Sequence, residues 1–438
     1  MARFASVTHT ERGLDRLINF SDAVIAIAAT LLILPLVEIV NDALSGEGGL
    51  SGLNEPSIRL QASSFTVTFF VMTAYWRSHH EMFERVKDYS RGLVALNFLW
   101  LSSMVFLAFP SGFLYDPNDE TVALYLFNLS LISVTLRSTR LYIYRHPELL
   151  VDPEQKLKKE YSVTTFIWPV VLIFTALAGL LFGPQAYYLL LLGIPIRYFT
   201  RGYRPPPPPH TERGMDRVVN FSDAVVAIAI TLLILPLVDI ITDSRGDAQD
   251  LSLSSIEVIA KILTFALTFY FMSRQWLINH RLFENIKDYS PILIRITYWW
   301  LFFMVIFAIP SALVGEEAVQ VLSGRANEEV TQSFPLAFFA FSVVLALISL
   351  TSAITIGYLQ RHPKLLIDPK QRLSPRVHYY VAVLFLVAGV VPILGTAAGY
   401  EQLGFGLWIV GLSLPLVVRR LAARQDAVKR STRTPSEM

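Results

Sequence analysis

The sequence predicts an all-α integral membrane protein made of two parallel six-transmembrane-helix repeats, twelve spans in all. Three observations carry that expectation: a composition too apolar for a soluble chain, an internal duplication, and six bilayer-length apolar segments in each copy. Of 438 residues, 53% are apolar and 16% charged, against about 25% charged in an ordinary soluble domain. The net charge of +2 argues against a nucleic-acid partner, which needs a clustered basic face. There is no cysteine, which excludes disulfides and thiolate chemistry and leaves the redox compartment unread. The first apolar stretch lacks the small-residue cleavage pattern of a signal peptide and reads as a permanent span.

The duplication is nearly literal. His9–Ile39 aligns with His210–Ile240 at a shift of 201, with 25 of 31 positions identical. Phe83, Glu84 and the run Lys87, Asp88, Tyr89, Ser90 return as Phe283, Glu284 and Lys287, Asp288, Tyr289, Ser290. Arg145, His146 and Pro147 return as Arg361, His362 and Pro363, each followed by Leu-Leu-(Val/Ile)-Asp-Pro. Landmarks in the same order mark a repeated domain. The reading is a first six-helix repeat over 1–203, a Pro-rich linker over 204–209, a second repeat over 210–420 and a basic tail over 421–438. The linker carries five consecutive prolines, Pro205–Pro209, which hold a chain extended and semi-rigid.

A bilayer takes about 20 apolar residues per helix. Copy one offers segments near 16–40, 58–80, 92–114, 121–144, 162–182 and 184–200, the last short and broken by Gly193 and Pro195. Copy two offers 217–241, 256–278, 292–314, 335–359, 377–395 and 403–420. Inside hydrocarbon each must be a helix, the form that satisfies its own backbone. Lys and Arg gather in the loops after the second and fourth segments (Arg85, Lys87, Arg91; Arg145, Lys156, Lys158, Lys159), in the linker and in the tail. The loop after the first segment holds Asp42, Glu47 and Glu55. Both termini and the linker are therefore expected in the cytoplasm. An even number of spans per copy makes the repeats parallel, related by an axis along the membrane normal.

The first segment of each copy carries the chemistry. It runs Arg16, Phe20, Ser21, Asp22, Ile27, Thr30, Leu31, Leu34, Pro35, and then Arg217, Phe221, Ser222, Asp223, Ile228, Thr231, Leu232, Leu235, Pro236. An aspartate inside a span costs about 2.5–3.5 kcal/mol on insertion scales, so it needs a partner or a wet path. Arg16 lies about 240° around the helix from Asp22 and is badly placed to serve its own helix. A network across helices is the better expectation. Trp76 and His80, repeated as Trp276 and His280, offer an indole N–H and an imidazole one helical turn apart. The plainer alternative is that Asp22 and Ser21 only lock helices together. Ile27, Leu31 and Leu34 fall within about 60° of one another, and Asp22 points about 140° away from Ile27. Taken alone such an apolar stripe is ordinary packing. Glu38 and Asp239, eleven residues beyond Ile27 and Ile228, return to within about 20° of the same face and are expected at an outer mouth.

The Arg-x-x-x-Phe-Ser-Asp signature, intact in two six-span copies, resembles the transmembrane protein 175 family of potassium channels of animal lysosomes and prokaryotes. The resemblance implies a pore lined by the first helices of four repeats, and therefore a homodimer with pseudo-fourfold symmetry. By matching position it implies a hydrophobic constriction at Ile27 and Ile228 with Thr30 and Thr231 beside it, and Phe-Ser-Asp residues that hold the bundle. It implies K+ as permeant ion, the lipid bilayer as surroundings and no bound cofactor. The 28 arginines against nine lysines lean towards a GC-rich bacterium and its cell membrane; an animal source would imply an endolysosomal membrane.

A passive cation channel is therefore the first reading. A proton-permeable channel or proton-coupled cation transporter is the second, since parallel repeats also occur in carriers. An enzyme is disfavoured: no His-Glu-x-x-His or nucleophile–base constellation stands out, and neither catalytic residues nor a metal-ligand set is expected.

Overall fold

The computed structural model describes residues 11–45, 55–154, 166–192, 211–238, 255–322, 328–368 and 375–397. Among them the chain is helical throughout, and an isolated bridge between Val86 and Leu150 replaces any strand. Among the described residues eight helices are long and apolar enough to cross a membrane, together with a shorter apolar helix, Ile167–Phe182. The second predicted segment forms a 28-residue helix, Pro56–Phe83, whose buried Gln61, His79 and His80 dilute its hydropathy. Of the sixth segments, Pro184–Leu192 forms a 3-10 helix; 193–200 and 403–420 lie outside the described residues, as do the linker and the tail.

Two compact units divide the described chain. The first comprises everything up to Ala229 plus Ile286–Ile294, and the second Ile230–Asn285 with the chain from Arg295 onward. Packing units and sequence repeats thus differ, because the start of the second repeat's first helix packs into the first unit.

In the first unit, α1 (Glu11–Leu31) is followed by α2 (Leu34–Ser45), α3 (Pro56–Phe83), α4 (Arg91–Phe106), α5 (Ala108–Gly112), α6 (Asp119–Arg145) and α7 (Ile167–Phe182). Helix α1 packs on α3 and α4, and α6 packs between α4 and α7. Prolines set the breaks within spans. Pro35 has no N–H for the Leu31 carbonyl and separates α1 from α2; Pro110 does the same for Phe106 and separates α4 from α5. Caps set the ends. The Leu93 N–H donates to Ser90 Oγ at the start of α4 (3.2 Å), and Asn118 with Thr121 closes a reciprocal capping box on α6.

The rest of α8 (Glu212–Leu232), then α9 (Ile256–Phe283), α10 (Pro291–Ile306), α11 (Ala308–Leu322), α12 (Glu328–Arg361) and α13 (Pro375–Ala397) follow. In the second unit α12 lies against α11 and α13, and α9 against α11. Both repeats tie two of their sequence landmarks together. The Val151 N–H donates to the Arg85 carbonyl (2.9 Å) and Lys87 N–H to Leu149 (2.9 Å). In the second unit Ile367 N–H donates to Asn285 (2.8 Å). The loop after the second segment is thereby pinned to the Leu-Leu-x-Asp-Pro run after the fourth.

Candidate functional site: a buried aspartate clamp on the first helix

Asp22 sits on α1 with 1% of its surface exposed. Its carboxylate is held by an arginine from the other repeat. Arg217 of α8, 2% exposed, donates Nε to Oδ2 (2.9 Å) and Nη2 to Oδ1 (2.8 Å), a bidentate fork. Trp76 of α3 donates its indole N–H to Oδ1 (2.8 Å). Two charges out of water need such full satisfaction, since either alone is costly.

The same arginine continues the network. Its Nη1 donates to the His80 carbonyl (3.2 Å) and its Nη2 stands 3.5 Å from His79 Nδ1. His79 Nε2 meets Asn97 Oδ1 (2.9 Å), Asn97 Nδ2 donates to Ser21 Oγ (2.8 Å), and Ser21 donates to the Leu17 carbonyl (2.8 Å). One tautomer satisfies every link: His79 donates through Nε2 and accepts at Nδ1. The ring of His79 stacks on Trp100 at 4.3 Å, and Trp76 stacks on Phe221 at 4.2 Å. Below it, His80 Nε2 lies 3.0 Å from Tyr289 Oη, and Thr211 donates to Glu84 Oε1 (3.2 Å). Burial raises the pKa of the Tyr289 phenol, and its hydrogen bond to Glu84 raises it further. Tyr289 therefore stays protonated, its hydroxyl donating a hydrogen bond to Glu84 and accepting one from His80 Nε2.

The opposite face of α1 is apolar and open. Ile27 is 45% and Leu31 37% exposed, Leu34 is half-exposed and Glu38 is exposed. Thr30 is fully buried and turns its hydroxyl onto the Ala26 and Ile27 carbonyls (3.0 and 2.8 Å). On α8, Ile228 and Leu232 are half-exposed, as is Leu235 beyond it, and Thr231 is exposed. Ser222 is buried and Asp223 half-buried, and Phe20 is exposed beside Phe98 where Phe221 is buried. Trp276 stacks on His280, which lies 3.5 Å from Glu284. Arg16 is exposed, with no ion pair among the described residues. Asp239 lies outside them.

The structure thus brings Phe221, Ser21, Asp22, Trp76, His80 and Arg217 together. Sequence reasoning named all six and missed His79, Asn97, Glu84 and Tyr289 beside them. The literal return of Tyr89 and Glu84 in the second copy was the available signal. Among the described residues no group of three His, Asp or Glu could hold a metal ion.

Fold and site define an integral membrane protein of duplicated helical units, clamped across the duplication by a buried ion pair. Two stretches of the chain, residues 16–108 and 217–309, match the family model "Endosomal/lysosomal potassium channel TMEM175". It is 24% identical to the human endosomal/lysosomal proton channel TMEM175 over 308 residues, 62% of this chain and 60% of that one. The chicken protein of the same name is 23% identical over 302 residues, covering 61% and 60%. A potassium channel of Streptomyces collinus is 32% identical over 124 residues, covering 27% of this chain and 57% of that one. The chain spans about 60% of the length of the animal relatives it matches.

Proposed function

We propose that this chain is a cation channel that passes K+ passively through a hydrophobic constriction formed by the first helix of each repeat. The observation that carries the reading is the two-sidedness of α1. Its Ser21 and Asp22 are held in the clamp on one side, and Ile27 and Leu31 are left open on the other. A ring of such side chains gates by dewetting. Asp22 and its partners position the helix and stay out of the path.

The clamp also supports a homodimer. Arg217 enters the Asp22 pocket within one chain, yet Arg16, its counterpart, is exposed. A head-to-tail contact of this kind closes only by adding copies. Two chains give four first helices in a ring, with the exposed Arg16 of each turned to the other chain. Twelve spans per chain place both termini in the cytoplasm, with residues 1–203 and 210–420 as the two channel repeats. A bacterial cell membrane suits the arginine-rich composition.

Proton permeation is the second reading, favoured by the names of the animal relatives. Bilayer recording of purified protein under K+/Na+ and pH gradients separates the two, because the reversal potential follows the permeant ion. Ile27→Asn with Ile228→Asn should enlarge the current and weaken ion discrimination. Unchanged current in that pair would overturn the constriction.

A further inference from the structure

Helix α6 carries two arginines inside its membrane span. Its 27 residues, Asp119–Arg145, run about 40 Å against a hydrocarbon core of about 30 Å. With about 5 Å overhanging at each end, Arg140 starts about 2.5 Å inside the edge of the core and Arg137 about 7 Å inside. Three residues apart, they share one face of the helix, and both are half-exposed. Arg137 Nη1 donates to the Ser133 carbonyl (3.2 Å), and Arg140 Nη2 donates across to the Ser78 carbonyl of α3 (3.4 Å). A carbonyl carries no net charge, so neither bond cancels a guanidinium. Deeper in the span, Tyr75 of α3 and Ser133 hydrogen-bond through their hydroxyls and bridge the same two helices. The carboxylate that follows Ser78 on α3, that of Glu81, is held by Arg77 (2.8 Å).

The second repeat builds the same helix without these charges. Aligned on Arg145 and Arg361, Arg137 and Arg140 correspond to Ala353 and Ile356, both buried. The polar bridge deeper in the span is kept there, with Gln275 Nε2 donating to Ser349 Oγ (3.2 Å). The fold therefore asks for the bridge and not for the arginines, and a cation at that depth is costly enough to mark a function. We infer that Arg137 and Arg140, beside Ser78 of α3, bind the phosphate of an anionic phospholipid in the leaflet that meets the Arg145 end of α6. Guanidinium forks match phosphate oxygens two at a time, and basic pockets between spans near a membrane face take anionic headgroups in this way. The phosphate of a lipid already lies at the edge of the core, a few ångströms from both arginines, whereas a free anion would have to leave water to reach them.

The test is lipid retention by the full chain. Native mass spectrometry of detergent-purified protein, titrated with phosphatidylglycerol or with phosphatidylcholine, should show phosphatidylglycerol bound first. Arg137→Gln with Arg140→Gln keeps a side-chain donor for each carbonyl and removes both charges. The pair should weaken phosphatidylglycerol binding about thirtyfold, and either change alone about fivefold. Equal retention of the two lipids, or unchanged phosphatidylglycerol affinity in the double variant, overturns the site. Displacement of the lipid by millimolar inorganic phosphate at constant ionic strength also overturns it, since the ligand would then be a free anion. Should the double variant fail to assemble, the unmodified protein decides, cross-linked with a phosphatidylglycerol that carries a photoactivatable diazirine on its headgroup. Label in residues 131–144 and none in the matching residues 347–360 supports the site. Label equal in the two peptides, or absent from 131–144, overturns it.

Discussion

Arg16 and Arg217 occupy the same place in two nearly identical helices, and the structure treats them oppositely. Arg217 is buried with both its ends on Asp22 and on the α3 backbone; Arg16 is exposed on the same unit. Residue type and local sequence are the same, so the difference comes from neighbours. The first repeat's pocket accepts the arm of the repeat that follows it, whereas no pocket among the described residues takes in the first arm. The lesson is that the motif is half of an interface, and one chain completes that interface once.

The sharpest way to break this comparison is to remove each arginine in turn. Arg217→Ala leaves Asp22 buried and unpaired and should cost about 3–5 kcal/mol, read as a large fall in the melting temperature of detergent-purified protein. Asp22→Asn should likewise harm folding and assembly more than ion preference. Arg16→Ala should leave the chain's own stability within about 0.5 kcal/mol, and should dissociate the dimer on size-exclusion chromatography with light scattering. Equal loss of stability from the two arginines would refute the asymmetry.

A second pair of matching positions sharpens it. Gly13 faces the Tyr89 hydroxyl, where an added Cβ would stand 2.5 Å from oxygen; at Gly214 it would stand 1.6 Å from Glu84 Oε1 and 2.9 Å from Tyr289 Oη. Glu84 is pinned by Thr211 and Tyr289, so it cannot simply swing aside. Gly214→Ala should cost about 1–3 kcal/mol as overpacking, and Gly13→Ala less. Thermal melts of the two variants decide the order.

Next in size is Tyr289→Phe, which removes the link between His80 and Glu84 and should cost about 1–2 kcal/mol. It also carries a pH signature. Tyr289 is held protonated in the folded chain, whereas an unfolded tyrosine ionises near pH 10. Its contribution is therefore full below pH 10 and lost above it, by about 1.4 kcal/mol per pH unit. The phenylalanine variant should lose stability less steeply in that range. Parallel curves would show that Tyr289 ionises freely.

These residues also show what was legible beforehand. The helices could be read because hydrophobic runs and capping residues act locally, and Asp22 needed a partner by its cost alone. That Arg16 could not serve Asp22 followed from helix angles. That Arg217 does serve it depends on which repeat packs where, and periodicity within one helix carries no such information. His79 and Asn97 were hidden for the same reason: their second-copy counterparts are Asn279 and Thr297, so no repeat flagged them. The helix break was underestimated. The first segment was expected as one span over 16–40, whereas α1 ends at Leu31 and α2 starts afresh at Leu34.

That break bears on the smallest expected effect, at Glu38 and Asp239. Counting eleven residues from Ile27 through one continuous helix put both on the pore face, but the interruption resets the helical phase, so the projection no longer holds by angle alone. Glu38 is exposed in α2, which fits a mouth position. Four carboxylates about 8 Å from the axis would each attract a monovalent cation by roughly 0.5 kcal/mol in water, or about 2 kcal/mol together. Physiological salt, with a Debye length near 8 Å, cuts this to somewhat under 1 kcal/mol, about a fourfold enrichment. An effect of that size raises current in dilute solution and does not distinguish K+ from Na+, whose charges are equal. Glu38→Gln with Asp239→Asn should therefore lower inward conductance at low salt, converge with the unmodified protein near molar salt, and leave the reversal potential in place. If the low-salt conductance is unchanged, these carboxylates do not face the ion path.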